Sequence, residues 1–409
     1  MDSLNELAFL IDSLIVFSDA KKDALIRSVS KIYGSETAED KVKAYSEMCG
    51  ILCEKNKTLS RYVFELAKYD ANEFMRRSAL NLDVPDFLNS CAVHDAAVLS
   101  KIAGLRPAGV KAELMRGYED SLPALVEGLP DFETGDCTLT VEKLREEARK
   151  DGTGIFAKYR AFMFDGEKGI TPVENPDPVR LSELKRYEIQ RRKVVENTMC
   201  FIEGKTANNV LLYGDRGTGK SSTVKALLNE FCGMGLRLVQ TDKKSLAKLG
   251  VLIEELTQYP QRFIIFVDDL TFGEEDESYA VLKAVLEGSL ISRPENVLIY
   301  VTTNRRHLVK ETFSSRDGDD IHRSDTIHEK MSLSDRFGIS VTFSSPNKND
   351  YEEIVRELAA DRGLELDEVS LVGGAERFAL AKGGRSPRLA KQYVDFVQSR
   401  YELGLDPFN

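Results

Sequence analysis

The segment that most constrains this chain is the octapeptide at residues 214–221, Gly-Asp-Arg-Gly-Thr-Gly-Lys-Ser. It fits the pattern Gly-x-x-x-x-Gly-Lys-Ser of a phosphate-binding P-loop, which joins a strand to a helix. The flanking residues supply that context, since 208–213 form an apolar run and 222–231 have the spacing of an amphipathic helix. The sequence therefore predicts a strand, a phosphate-binding turn and a helix in direct succession.

Each residue type in this loop has a chemical role in phosphate binding. Gly214, Gly217 and Gly219 permit backbone dihedrals that side chains disfavour, so that successive N–H groups can face phosphate oxygens. The following helix adds unpaired N–H groups and the positive end of its dipole. Lys220 would reach the β- and γ-phosphates of a nucleotide, and the Ser221 hydroxyl would bind Mg²⁺. The predicted nucleotide-binding residues are Gly214, Asp215, Arg216, Gly217, Thr218, Gly219, Lys220, Ser221 and Ser222.

Length and composition limit the fold and the cellular location. A chain of 409 residues exceeds one compact core, so two or three domains are expected. The net charge of −11 argues against an extended nucleic-acid footprint. The sequence shows no transmembrane stretch, no signal-peptide pattern and no disulfide framework among its six cysteines. We therefore expect a cytoplasmic protein without a membrane partner.

The pattern of apolar residues divides the chain into four parts. Residues 1–152 have helical spacing and predict an all-α N-terminal domain that binds a partner or regulates the remainder. Residues 153–181 combine a β-type stretch at 155–164 with prolines, which predicts a strand and a linker. Residues 182–345 predict the α/β nucleotide-binding domain, and 346–409 predict a helical lid subdomain.

Strands and helices alternate after residue 208, which predicts a parallel five-stranded sheet with flanking helices. Single continuous helices are expected at 59–75 and 182–201, with Arg191, Arg192 and Lys193 on a solvated face of the second. The predicted strands are Val210–Tyr213, Leu236–Gln240, Phe263–Val267, Val297–Val301 and Ile339–Phe343.

Two of these strands end in polar side chains. Asp268 and Asp269 follow the third strand, where the first would hold Mg²⁺ and the second would act as general base on an attacking water. Asn304 follows the fourth strand and would orient that water and sense the γ-phosphate. Taken alone, such an asparagine is more often a polar turn residue.

Two arginines complete the set of candidate catalytic residues. Arg336 precedes the fifth strand and would place a rigid cation against charge on the γ-phosphate, although an arginine after Asp335 is also typical of a surface ion pair. Arg388 lies in the first turn of a helix that Pro387 opens, from which it would reach the phosphates.

The order of these motifs, from about residue 172 to 401, resembles that of the AAA+ ATPases. Segments 208–222, 263–272, 282–294 and 303–308 are in addition similar to a bacterial family of predicted ATPases called domain of unknown function 815. That family has no settled function. The resemblance implies an AAA+ P-loop fold with ATP and Mg²⁺ as ligands.

The resemblance also implies a role for each motif. Residues 214–221 would be Walker A, Asp268 and Asp269 Walker B, Asn304 sensor 1, Arg336 a finger given to a neighbouring subunit, and Arg388 sensor 2. The catalytic set would be Asp269, Asn304, Arg336 and Arg388, and the metal ligands Ser221 and Asp268. Adenine would lie near 179–181 and Tyr187.

AAA+ proteins usually have glutamate at the second Walker B position, and Asp269 is one methylene shorter. A base misplaced by about 1 Å can cost on the order of a hundredfold in rate, so this residue leaves the hydrolysis rate open.

Three functions fit the sequence. The first is an ATPase that works as a homo-oligomer, with a hexamer as one candidate, and that remodels or recruits a client protein through residues 1–152. The second is a slowly hydrolysing ATP-dependent switch or scaffold, which Asp269 favours. The third is a nucleic-acid loader, which Arg305 and Arg306 permit and the acidic charge disfavours.

Two segments keep alternative interpretations. Residues 305–307 would contact phosphate, a subunit or nucleic acid, or would form a solvated basic turn. Residues 314–329 are expected to form a mobile loop, with a metal site at His322 and His328 as a minor alternative.

Overall fold

The computed structural model describes residues 6–116, 123–136, 139–272, 277–287, 294–304 and 336–408. The chain divides into two compact units, Met1–Lys158 and Tyr159–Asn409. The basic segment at 305–307 and the segment at 314–329 lie outside the described residues, so the structure does not test the predictions made for them.

The described part of the first unit is helical, which confirms the predicted all-α class of the N-terminal region. Its core contains the fully buried aromatic side chains of Phe17, Tyr45 and Phe74. The helices are α1 (Glu6–Asp12), α2 (Ala24–Gly34), α3 (Ala38–Lys55), α4 (Leu59–Lys68), α5 (Glu73–Ala79), α6 (Asp86–Ala103), α7 (Pro107–Met115), α8 (Pro123–Glu127), α9 (Val141–Asp151) and α10 (Gly154–Lys158).

The single helix predicted at 59–75 is wrong, because α4 and α5 are separate helices with a break between them. The Asp70 carboxylate accepts a hydrogen bond from the Asn72 N–H at 2.8 Å. The Asn72 side chain then accepts one from the Met75 N–H at 2.9 Å and caps α5. These short polar side chains compete with helical hydrogen bonds for the backbone, and apolar spacing does not reveal that competition.

One carboxylate holds the segment between α1 and α2. Asp95 on α6 is 0 % exposed, and one of its oxygens accepts three backbone hydrogen bonds. The donors are the N–H groups of Ile15, Val16 and Phe17, at 2.9, 2.7 and 2.9 Å. Because Phe17 is itself in the core, this clamp ties a loop to the buried centre of the unit.

We expect Asp95→Ala to lower the free energy of unfolding by about 3 kcal/mol or more, because buried N–H groups lose a charged acceptor. Urea unfolding of the full chain, followed by circular dichroism, measures this. The exposed Asp86 in the first turn of the same helix provides the control, for which Asp86→Ala should cost about 0.5 kcal/mol. Equal losses from the two variants would contradict the clamp.

The second unit contains a seven-stranded sheet with the order β2-β1-β4-β5-β6-β3-β7. All five predicted strands are present, and each pairs in parallel with its neighbours. The strands are β1 (Ala161–Asp165), β2 (Gly169–Pro172), β3 (Val210–Gly214), β4 (Leu236–Thr241), β5 (Arg262–Val267), β6 (Val297–Thr303) and β7 (Ile339–Phe343).

The sheet is two strands wider than the predicted five. β1 pairs in parallel with β4, and β2 returns antiparallel to β1. The β-type stretch predicted at 155–164 is helical up to Lys158, and the strand begins at Ala161. Its buried residues Phe162 and Phe164 alternate with exposed Met163, which is the pattern of a strand with one covered face.

Helices accompany the parallel strands, and three more form a subdomain after β7. The first group is α11 (Glu188–Ile202), α12 (Lys220–Phe231), α13 (Leu249–Leu256) and α14 (Glu277–Glu287). The second is α15 (Lys348–Asp361), α16 (Glu368–Ala381) and α17 (Pro387–Glu402), which share a core of their own. This architecture confirms the predicted α/β fold, in which a mainly parallel sheet with flanking helices carries the P-loop and a helical lid subdomain follows.

The helix predicted at 182–201 begins later than expected. A short 3₁₀ helix spans Leu181–Glu183, and α11 begins only at Glu188. Between them Arg186 and Tyr187 take left-handed φ values of 58° and 62°. Successive left-handed residues end any regular helix, so the chain turns here before it enters the sheet domain.

Within the described part of the chain, no helix has both the length and the hydropathy needed to cross a bilayer.

Candidate functional site

The sheet brings the candidate residues together at one edge. In parallel strands the carboxyl ends lie side by side, and here Gly214 at the end of β3 is opposite Phe343 at the end of β7. On the other side of β3, Tyr213 is opposite Thr303 of β6. The P-loop, the two aspartates after β5 and Asn304 after β6 therefore emerge at the same edge.

The P-loop has the backbone conformation that its glycines predict. Gly214, Gly217 and Gly219 have φ values of 134°, 76° and 93°, in the region that side chains disfavour. Gly219 is the residue before the first turn of α12, so the helix begins at Lys220. The free N–H groups of that first turn and the positive end of the helix dipole thus lie at the loop.

Lys220 is a buried cation at the centre of the site. It is 6 % exposed, and its Nζ donates to the carbonyl oxygens of Gly214 and Asp215 at 2.9 and 2.7 Å and to Asn304 Oδ1 at 3.2 Å. Burial lowers the pKa of Lys220, while the charges of Asp215 and Asp269 act to raise it. A buried ammonium beside a cavity is suited to pair with an anionic ligand.

The two predicted metal ligands are in direct contact. Ser221 Oγ donates to Asp268 Oδ1 at 2.5 Å, and Thr302 Oγ1 donates to the same oxygen at 2.5 Å. Mg²⁺ prefers such oxygen ligands, and it commonly takes one or two from the protein and the rest from water and phosphates. Across the described ranges no group of three or more His, Cys, Asp or Glu could hold a metal ion. The residues present fit Mg²⁺ that is shared with a phosphate.

The predicted base and the predicted sensor are also in contact. Asn304 Nδ2 donates a short hydrogen bond to Asp269 Oδ1. Asp269 has a left-handed φ of 49°, and its N–H donates to Thr302 Oγ1 at 2.9 Å. Asn304 thus links the buried ammonium of Lys220 to the carboxylate of Asp269.

The first turn of α17 lies against the P-loop. The Arg388 N–H donates to the Gly217 carbonyl at 3.1 Å. A Cβ at position 217 would lie 2.9 Å from Ser386 Oγ and 3.1 Å from Arg388 Cβ. Glycine is therefore needed here for a close approach between loop and lid, and this contact places Arg388 at the cavity.

A cavity of about 670 Å³ runs from the P-loop to the lid. Its volume is in the range of small-molecule sites, and its lining combines polar and apolar residues. The P-loop side of the lining contains residues 216–222 with Asp268, Asp269, Thr302, Asn304 and Arg388. The lining also contains the apolar residues Val179, Leu184, Ile354 and Leu358, together with the charged residues Glu183, Lys185, Arg191 and Lys391.

Of the two positions expected near the adenine, one lines the cavity and the other does not. Val179 lines the cavity, whereas Tyr187 packs against Phe343 with ring centroids 5.2 Å apart. The Tyr187 hydroxyl donates to the Ser344 carbonyl at 2.6 Å. Tyr187 therefore connects residues 179–187, the entry segment before α11, to the end of β7.

Asp215 anchors the back of the P-loop. Its N–H donates to the Phe343 carbonyl at 2.9 Å, and its Oδ2 accepts from the Ser345 N–H at 2.6 Å. The hydrogen bond from Ser345 holds the pKa of Asp215 below its usual value. Gly214 and Asp215 thus fix the loop to β7, while the rest of the loop lines the cavity.

The prediction that Arg191 is solvated is wrong. Arg191 is 9 % exposed, lines the cavity and donates from Nη2 to the Leu184 carbonyl at 2.8 Å. Burial lowers the pKa of Arg191. Its spacing to buried Val194 and Thr198 places it on the inward face of α11, a signal that treating 191–193 as one basic group obscures.

Arg336 lies away from this cavity. It precedes β7 at the amino end of the sheet, where a Cβ on Gly338 would meet Asn208 just before β3. The strand that separates this end from Phe343 spans about 16 Å at roughly 3.3 Å per residue. Arg336 is exposed at the end of the sheet opposite to the P-loop.

We expect Gly214→Ala to destabilise the protein by about 3 kcal/mol or more, since the new Cβ would lie 2.1 Å from the Phe343 carbonyl oxygen at a φ of 134°. Thermal unfolding of the full chain measures this. Gly233→Ala is the matched control, because a Cβ there meets nothing within 4 Å. A Gly214→Ala protein as stable as this control would contradict the close approach.

The chain is similar to solved structures of a bacterial motor protein. Structures of the Thermotoga maritima RuvB Holliday junction branch migration motor and of a single-residue variant are each 18% identical to this chain. Each covers 57% of this chain and 68% of its own, with a TM-score of 0.40. No curated protein matches the sequence.

A family model described as "Protein of unknown function (DUF815)" matches residues 157–401, which is more than half of the chain. The matched range contains the whole sheet, the P-loop and all residues that line the cavity. The chain belongs to this family, DUF815.

Proposed function

We propose that the protein binds ATP and hydrolyses it with Mg²⁺, at sites that two subunits complete, in order to remodel or recruit a client. The observation that carries this proposal is the chain of contacts from Lys220 through Asn304 to Asp269 beside the P-loop. These contacts bring an ammonium, an amide and a carboxylate together in the lining of one cavity.

The cavity supports nucleotide binding because its lining combines polar and apolar residues. The N–H groups of residues 217–222 and the ammonium of Lys220 would bind the phosphates, with Arg388 adding charge from the lid. The adenine ring would contact the apolar side chains of Leu184, Ile354 and Leu358. Arg191 would hold the Leu184 backbone in place through its hydrogen bond to the Leu184 carbonyl.

Ser221 and Asp268 would hold Mg²⁺, whose chemistry when bound is to neutralise charge on the phosphates. Asp269 would accept the proton of a water whose oxygen attacks the γ-phosphorus, while the bond from that phosphorus to the bridging oxygen breaks. Asn304 would keep the Asp269 carboxylate in orientation for this transfer. The products are ADP and phosphate.

The position of Arg336 supports a homo-oligomer. At the amino end of the sheet it is far from the phosphates of its own subunit, yet it is exposed toward solvent where a neighbouring subunit could be met. An arginine supplied in this way stabilises charge in phosphoryl transfer. Six subunits in a ring would satisfy the arrangement, and residues 1–152 would recruit the client.

A slowly hydrolysing switch or scaffold is the second candidate function. Asp269 is shorter than the usual glutamate, and the hydrogen bond from Asn304 occupies one of its oxygens. The two functions differ in turnover and share ATP binding.

We expect Lys220→Ala to weaken ATP binding by about 100-fold or more, because the phosphates lose a buried cation. Calorimetric titration with ATP and Mg²⁺ measures the affinity. Lys225→Ala on the same helix is the control, since Lys225 lies on the outer side near Asp177 and should leave the affinity unchanged. Equal affinities of wild type and Lys220→Ala would exclude the proposed site.

We expect Asp269→Asn to lower turnover by about 100-fold or more while it retains ATP binding, because the base is lost and the shape is kept. Phosphate release at saturating ATP measures turnover. A wild type that binds ATP without turnover in the presence of Mg²⁺ would favour the switch over the ATPase.

We expect Arg336→Ala to lower turnover by about 1,000-fold with ATP affinity unchanged. A mixture of Arg336→Ala and Asp269→Asn subunits should recover part of the activity, because some sites then combine an intact Asp269 with an intact Arg336. No recovery in the mixture, or full turnover by Arg336→Ala alone, would contradict a finger supplied by a neighbouring subunit.

A further inference from the structure

One threonine contacts three consecutive residues of the site. Thr302 on β6 is 1 % exposed, and its Oγ1 donates to Asp268 Oδ1 at 2.5 Å. The same Oγ1 accepts from the Asp269 N–H at 2.9 Å. The Thr302 carbonyl accepts from the Leu270 N–H at 2.8 Å. This residue therefore fixes both carboxylate-bearing residues and the residue after them.

The position of Thr302 explains why a hydroxyl is needed. The pairing of β5 with β6 ends at Val267 and Val301. Beyond this pair the chain turns, because Asp269 has a left-handed φ of 49°. A residue in that conformation leaves the strand, so its N–H needs an acceptor outside the ladder. The Thr302 hydroxyl supplies this acceptor and uses its proton for Asp268.

The same turn selects the length of the side chain at position 269. Among residues other than glycine, asparagine and aspartate tolerate the left-handed region best. A glutamate would extend the carboxylate by about 1.5 Å, which is the length of one carbon–carbon bond. Its carboxylate would then pass the Asn304 amide that contacts Asp269 Oδ1.

We infer that Thr302 is a positioning residue for both carboxylates. We also infer that its hydrogen bonds to Asp268 and Asp269, the Thr302 clamp, fit the site to aspartate rather than glutamate at position 269. The inference rests on the proposed ATP hydrolysis and deepens it. The short Asp269 is then no defect relative to a glutamate, since the left-handed turn and the Thr302 hydroxyl place its carboxylate beside Asn304.

The first test compares Thr302→Val, which removes the hydroxyl and keeps the shape, with Thr302→Ser, which keeps the hydroxyl. In the full-length protein, Thr302→Val should lower kcat for ATP by about 10- to 100-fold and raise the Mg²⁺ concentration for half-maximal turnover. Its affinity for ADP in EDTA should equal that of wild type. Thr302→Ser should stay within about threefold of wild type in kcat.

Thr241→Val is the matched control for the loss of a buried hydroxyl. Thr241 ends β4 and is 2 % exposed, and its hydroxyl makes long contacts of 3.4 and 3.5 Å to the carbonyl oxygens of Phe164 and Asp242. This variant should retain wild-type kcat and Mg²⁺ dependence. Equal losses in Thr302→Val and Thr302→Ser would assign the effect to packing and overturn the inference, as would wild-type kinetics in Thr302→Val.

The second test is Asp269→Glu. We expect kcat to fall by about tenfold or more, because the longer side chain strains the left-handed turn and moves the carboxylate. A Glu variant that is faster than wild type would show that the site is not fitted to aspartate.

Failure of the proposed function is distinguishable from failure of this inference. If wild type has no turnover, the ATPase proposal fails, and binding of a non-hydrolysable ATP analogue with and without Mg²⁺ becomes the readout. The inference is supported if Mg²⁺ raises the affinity for the analogue in wild type and in Thr302→Ser but not in Thr302→Val. It is overturned if Mg²⁺ raises this affinity equally in wild type and in Thr302→Val.

Discussion

The site depends on the close approach of two strand ends, where Gly214 of β3 meets Phe343 of β7. A side chain at position 214 would overlap the Phe343 carbonyl, and the next residue hydrogen-bonds that same carbonyl at 2.9 Å. Ser345 then returns a hydrogen bond to Asp215 at 2.6 Å. These contacts fix the position of the P-loop at the carboxyl ends of the strands, and hence the position of Lys220 relative to Asn304.

The entry segment, the P-loop and the lid are joined around this fixed point. Lys185, before α11, pairs with Asp361 of α15 at 2.6 Å, and the neighbouring Arg186 lies 3.5 Å from Asp350 of the same helix. On the other side Arg388 contacts Gly217. A ligand in the cavity would touch all three parts, so its binding and release are expected to be coupled to the position of the lid.

The sequence predicts those parts of the site that are local in the chain. The P-loop is recognisable because its glycines, lysine and serine are contiguous, and Asp268, Asp269 and Asn304 are recognisable because they follow apolar strands. The role of Thr302 was not predicted because its partner Asp268 is distant in the chain. The burial of Arg191 was not predicted because grouping 191–193 by charge hides its place beside Val194 and Thr198 on the inward face of α11. A strand was predicted within 153–181, but β2 and the pairing of β1 with β4 were not, because the prolines indicated a linker. The break at Asp70 was not predicted because apolar spacing does not reveal capping.

The most direct measurement for the central claim is an experimental structure of the full-length protein with Mg²⁺ and a non-hydrolysable ATP analogue. We expect the triphosphate within hydrogen-bond distance of the N–H groups of residues 217–222, and Mg²⁺ in contact with Ser221. We also expect Arg336 of a neighbouring subunit beside the γ-phosphate. A nucleotide bound outside this cavity, or a γ-phosphate that faces away from Asp269 and Asn304, would exclude the proposed ATP site.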